Sequence, residues 1–354
     1  MSMTPRAEDF ERLIMRWAAA PQHNGYTSLA ASLAAFPERY AANRDALPQN
    51  DSDRAFGLVT RACELLNRSV VKAETDEEAQ RLTDEAAGYI DEALKLDPQC
   101  YDAVRINRYL QRPSRDEMAS FLEGRVDEVR AGCLAVAEQN GALPPEGRWS
   151  VSPYVRPYLR WVADLANEQL ACGRYRLALA RAREVLATDE NDLVGARHIA
   201  AFACVKLEDE KALDDLMNDV PFKNDAWYML SECFMAYKGR RLEEATETLH
   251  KIVRTFPAAG CTLMYQDELP PGVFGHLEYA DGTADELYVA VSEAAVVLDE
   301  NCGEFSSALS GWIADDPVVA EAYASEEALA LLQNPSAGPD GQAGAGPTFT
   351  VQGQ

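Results

Sequence analysis

After Arg254 the chain contains no lysine or arginine: the segment from Thr255 to Gln354 holds sixteen acids against that absence. The first 254 residues are close to balanced, with 33 basic and 42 acidic side chains, so most of the formal net charge of −25 is concentrated in the last third. A surface of that kind repels nucleic acid and anionic membranes and favours basic partners, within the molecule or outside it. Histidine is scarce. His23, His198, His250 and His276 form no H-x-x-x-H pair, and each stands alone on a segment that reads as helix or loop. The eight cysteines are spread along the chain with no C-x-x-C spacing, so neither zinc nor a disulfide framework is expected, and the thiols read as small apolar residues. No Walker, dinucleotide-binding, H-E-x-x-H or G-x-S-x-G motif is present. The sequence therefore predicts no cofactor, no metal site and no catalytic residues. No apolar run approaches the ~18 residues of a membrane span. The opening stretch "MSMTPRAEDFERLIMRWAAAPQHNG" lacks the apolar core of a secretory signal; Phe10, Leu13, Ile14 and Trp17 recur at helical spacing instead. A cytoplasmic protein that does not enter membranes is the expectation.

Helix signals fill the chain. Hydroxyl–glutamate capping pairs stand at Thr75/Glu78, Ser114/Glu117 and Thr283/Glu286. Between them apolar residues return every three or four positions, as in Ala86, Ile90, Leu94 and in Ala178, Ala182, Val185, Leu186. The stretch "ELYVAV" is the best strand candidate, but its cap and length favour a helix. An all-α fold follows.

Three segments share one plan: a helix, a tight turn with glycine, a second helix with small residues on one face, and a stop. They are "EAAGYIDEALKLDP" (85–98), "VADLANEQLACGRYRLALARAREVLATDEN" (162–191) and "WYMLSECFMAYKGRRLEEATETLHKIVRTFP" (227–257); residues 192–221 fit more loosely, with Ala200 and Ala212 in the small positions. Alanines such as Ala166, Ala178 and Ala245 let two helices approach closely, while Leu165 and Tyr175 fill the groove. This pattern resembles the tetratricopeptide repeat, a helix–turn–helix unit of about 34 residues. Arg156-Pro157-Tyr158-Leu159-Arg160, Gly173-Arg174, Asn191-Asp192 and Gly195-Ala196-Arg197 are more narrowly similar to a group of prokaryotic tetratricopeptide proteins related in part to the suppressor-of-tumorigenicity-7 family. The likeness spans about 155–314. It departs from the group's pattern at Asp189-Glu190-Asn191, where a helix-stopping proline is replaced. The resemblance implies a helical-hairpin solenoid and no particular activity.

Four divisions follow: an N-terminal helical segment (1–50), a repeat array (51–257), an acidic connector with C-terminal helices (258–333) and a Gly/Pro-rich tail (334–354) expected to be disordered. Within 258–333, the stretch "CTLMYQDELPPGVFGHLEYADG" (261–282) reads as a long connector. The arginine-rich stretch "GRYRLALARAREVLATDEND" is offset by the acids that follow it and reads as the turn and outer helix of one repeat. In a solenoid the first helix of each pair lines the concave wall. Arg156, Arg160, Asn167 and Arg197 fall there, with Trp227 opening the next pair; arginine and asparagine clamp carboxylates and backbone, and tryptophan anchors. Arg160 and Arg197 have a competing use, as ion-pair partners of acids such as Asp164 or Asp192. The leading expectation is a non-catalytic scaffold that binds a protein or peptide partner. A nucleic-acid-associated regulator and an unrecognised helical enzyme are the alternatives. A third idea is autoinhibition, in which the base-free C-terminal region covers the arginine-lined wall.

Overall fold

The computed structural model describes residues 4–19, 25–26, 28–70, 72–73, 75–219, 225–269, 272–274, 279–298 and 307–333. The tail from residue 334, His23, His276 and Cys302 lie outside them. Among the described residues the regular structure is helical and no strand forms; the one isolated bridge joins Arg148 and Asp189. "ELYVAV" is helical. The caps form as the sequence predicts at Thr75, Ser114 and Thr283, each accepting from the backbone N–H three residues on. Ser114 and Glu117 close the reciprocal box, whereas the Glu286 carboxylate accepts from Ala226 N instead. A further box, Asn50 with Asp53, starts the third helix.

The chain divides into two compact units: residues 1–199 with 271–278, and residues 200–270 with 279–354. The first holds α1 (Pro5–Ala19), α2 (Leu29–Asn43), α3 (Asp51–Glu64), α4 (Asp76–Leu96), α5 (Tyr101–Leu110), α6 (Arg115–Gln139), α7 (Arg156–Ala171) and α8 (Tyr175–Thr188). Helices α3, α4 and α5 enclose a core of Ala55, Phe56, Val59, Ala86, Ile90, Ala93, Ala103 and Ile106. Each large apolar side chain buried there contributes about 1.5–3 kcal/mol. Leu13, Trp17 and Phe36 join α1 to α2 in a smaller core. Helix α7 packs against α5, α6 and α8, so nearly its whole circumference is buried, including Arg156, Arg160 and Glu168. Charges in that position must be paired.

Helix α9 (Ala196–Leu207) contains the division between the units. The second unit continues with α10 (Glu210–Asp219), α11 (Ala226–Lys238), α12 (Leu242–Thr255), α13 (Ala259–Tyr265), α14 (Ala284–Glu293), α15 (Ala295–Leu298), α16 (Ala308–Ala314) and α17 (Pro317–Gln333). Its most buried helix is α11, which packs on α12 and α14. The first part of the stretch read as a connector is thus helical, as α13.

Helices α7, α9 and α11 end alike. In each, a residue one or two positions past the helix has positive φ: +77° at Gly173, +54° at Glu208 and +59° at Arg240. The next N–H reaches back five residues, Arg174 to Gln169, Asp209 to Cys204 and Arg241 to Ala236, at 2.8–3.0 Å. This is the closure in which a left-handed residue lets orphan carbonyls of the last turn be satisfied. The next helix begins within two residues of it every time.

Candidate functional site

The five residues expected on an open wall have diverse surroundings. Arg160 is buried and forks onto Asp102 of α5, Nε to Oδ1 at 2.8 Å and Nη2 to Oδ2 at 2.6 Å. It also donates to Glu8 of α1 at 2.9 and 3.2 Å. Arg156 is buried one turn earlier; its Nε donates to Ser150 O at 2.6 Å and its Nη1 pairs with Glu11 at 2.6 Å. Arg197 is largely covered and pairs with Asp192 at 2.9 Å. Trp227 is fully buried, donates Nε1–H to Glu293 at 2.7 Å and lies 4.9 Å from the Tyr279 ring. Asn167 is exposed. The competing use of Arg197 is therefore realised as anticipated. That of Arg160 is realised with different acids, because Asp164 pairs with Arg105 instead.

Around Arg160 the sequence assembles a buried ionic cluster from three helices. Glu8 and Arg12 come from α1, Asp102 and Arg105 from α5, Arg160 and Asp164 from α7, giving three charges of each sign. Arg12 donates to Glu8 and to Pro153 O, both at 2.8 Å, with its guanidinium 3.8 Å from the centre of the Phe56 ring. Burial by itself would raise the Glu8 and Asp102 carboxyls. The charge and hydrogen bonds of Arg160, with help from Arg12 and Arg105, outweigh it and leave both lowered. For Asp164 burial wins over Arg105, and its carboxyl is raised. Arginine does not exchange protons at neutral pH, and Glu8 and Asp102 stay ionised there. The cluster is suited to fixing three helices and presenting guanidinium faces, not to moving protons.

Besides that of Arg12 on Phe56, the face of Arg160 also meets an aromatic ring. The Phe274 ring lies 4.0 Å from the Arg160 guanidinium and 6.1 Å, edge-on, from Phe56, and is part of the α3–α4–α5 core. Nothing in a glycine- and proline-rich stretch read as a connector announces a core residue. The one available signal was the isolated apolar pair Val273-Phe274 between breakers.

Elsewhere in the first unit, α4, α5 and α6 border a cleft of about 240 Å³ lined by Leu94, Val104, Asn107, Arg108, Gln111, Phe121 and Arg125. Arg125 is bound to Glu128 through two bonds of 3.0 and 2.7 Å. The arginines of the Gly173–Asp192 stretch form a solvated face: Arg174 pairs with Asp116 and Arg181 with Glu184, both at 2.8 Å, while Arg176 and Arg183 are exposed. His250 lies 3.1 Å from both carboxylate oxygens of Asp316. Cys63, Cys100, Cys133, Cys204 and Cys233 are buried thiols outside any disulfide. Among the described residues, no group of three metal-ligating side chains converges, and no helix is long and apolar enough to cross a membrane.

No protein-family model, curated protein or solved structure matches the chain.

Proposed function

We propose that this chain is a non-catalytic helical-repeat scaffold of the tetratricopeptide kind that binds a protein or peptide partner through the inner helices of its array. The observation that carries this reading is the recurrence of one helix-ending turn at Gly173, Glu208 and Arg240, 35 and 32 residues apart along the numbering. That interval is near the ~34 residues of the tetratricopeptide unit. Wholly buried Ala166 and Ala178 where α7 meets α8, and Ala236 and Ala245 where α11 meets α12, supply the small contact positions such hairpins need. Stacked units of this type offer extended binding surfaces. The likeness at 155–314 to prokaryotic tetratricopeptide proteins supports the same reading, which places the chain in the cytoplasm. The pairing of Arg174 and Arg181 with acids argues against a nucleic-acid surface there.

Crosslinking mass spectrometry on native lysate, with the tagged chain as bait, tests the proposal. Reproducible crosslinks from one protein, concentrated on the first unit, are expected. Recovery of no partner across lysates, together with turnover of a metabolite by the purified chain, overturns it.

A further inference from the structure

Phe274 enters the α3–α4–α5 core from outside those helices, after the chain has run through α6 to α13. The residues around it, Gly272 to Phe274, are neither helix nor strand. Val273 N donates to Asn67 Oδ1 at 3.3 Å, a long hydrogen bond. In the sequence the pair Val273-Phe274 is bracketed by Pro270, Pro271, Gly272 and Gly275. The walls around the ring have their own support. Phe56 belongs to the packed helix α3, and Arg160 is held by Asp102 and Glu8 through four hydrogen bonds that do not involve Phe274. The pocket is thus built by helices and ion pairs, and its occupant comes from a segment that is neither helix nor strand. A guanidinium face favours an aromatic ring over an aliphatic side chain.

We propose that the Phe274 pocket is the partner-docking site of the first unit: it takes one aromatic side chain from an extended segment of the partner, and Val273–Phe274 is the chain's own competing occupant. This rests on the partner-binding reading above. It narrows the idea of an acidic covering segment to a single ring on a single arginine. A tethered occupant acts at an effective concentration near the millimolar range, so an outside ligand binds with an affinity reduced by the fraction of time the pocket is open.

Fluorescence anisotropy with a labelled synthetic peptide of residues 267–280 (DELPPGVFGHLEYA) tests this on full-length protein. The Phe274→Ala chain is expected to bind the peptide at least tenfold more tightly than the wild-type chain does. A peptide carrying Phe274→Ala is expected to lose that binding by tenfold or more. A Phe274→Ala chain with wild-type circular dichroism that does not bind the peptide overturns the proposal, as does equal binding of the two peptides. Should Phe274→Ala fail to fold, Phe274→Leu, which keeps most of the apolar volume, is put through the same comparison with the same criteria. The peptide arm needs no partner, so its failure removes this pocket while leaving partner binding elsewhere intact. In a second arm, a partner identified by crosslinking must displace the peptide from the Phe274→Ala chain; a bound partner that leaves the peptide in place overturns the docking site.

Discussion

Arg160 and Asp102 meet through a two-point fork between α7 and α5, with both side chains almost wholly removed from solvent. A pair in that position is favourable only while it is complete, since each partner alone is a charge without water. Arg160 is shared with Glu8, so one guanidinium holds three helices together.

Replacing Arg160 by leucine strands two buried carboxylates. The first unit is expected to lose about 3–5 kcal/mol of stability, read from guanidinium-chloride unfolding followed by a probe in that unit. Arg160→Lys is expected to recover little, because an ammonium cannot reproduce the planar fork. The double variant Arg160→Met/Asp102→Asn should cost less than Arg160→Leu alone. A loss under 1 kcal/mol for Arg160→Leu would show that the cluster carries no such weight.

The same groups set a pH dependence. Glu8 and Asp102 have lowered carboxyl pKa values in the fold. Their contribution is therefore complete above the ordinary carboxylate value of about 4, and is lost as pH falls through the folded values below it. Asp164 and Glu168 are raised, chiefly by burial. Theirs is complete below about pH 4 and is lost as pH rises through the folded values. Subtracting the urea midpoint of Asp102→Asn from that of wild type at each pH should give a difference that is flat from neutral to about pH 4 and shrinks below. For Asp164→Asn the difference should instead change above about pH 4. Flat differences for both variants across pH 3–8 would contradict the assigned directions.

In the second unit, a methyl group added at Gly260 on α13 would run into the backbone of Ala322 and Tyr323 on α17. Backbone cannot rotate aside, so Gly260→Ala should cost roughly 1–3 kcal/mol, as overpacking does, and should speed proteolysis of α17. Gly88, exposed in the middle of α4 with open space around it, gives the opposite sign. Gly88→Ala should add about 0.5–1 kcal/mol from helix propensity. Thermal unfolding of the two variants side by side checks both.

Asp189, at the end of α8, is buried and accepts from Ser150 N, Ser150 Oγ and Leu193 N at 3.2, 2.6 and 3.1 Å. Asp189→Ala leaves those donors unmatched and is expected to cost roughly 1–3 kcal/mol. Glu190→Pro would restore the helix-stopping residue of the similar repeat proteins. It should be no better than wild type, since it deletes the 2.8 Å bond from Glu190 N to Gly147 O. Equal stability of Asp189→Ala and wild type would show that the carboxylate does no anchoring.

Helix type and most helix starts were legible because they are local: caps, period and breakers act within one or two turns. The Asn50–Asp53 box shows how narrow the reading was. It uses the same reciprocal pattern as Ser114–Glu117 with an amide for the hydroxyl and a shorter carboxylate, so it is not a hydroxyl-plus-glutamate pair. The surroundings of Arg160 were not legible at all. Its partners stand 58 and 152 residues away in sequence, and spacing along α7 pointed to Asp164, one turn on. Arg197 could be read correctly because Asp192 lies five residues before it. Asp189 was visible as a departure from a repeat pattern, but the carboxylate's reach to Ser150 was not.

The placement of Phe274 also imposes an order on synthesis. The core shared by α3, α4 and α5 has all its helical parts once residue 110 is made, yet one ring of its wall comes from position 274. At the usual 5–20 residues per second, roughly ten to thirty seconds of translation separate the two. Arg160 itself follows only fifty residues after the end of α5, so from its synthesis until position 274 is made the place beneath its guanidinium has no ring from the chain itself.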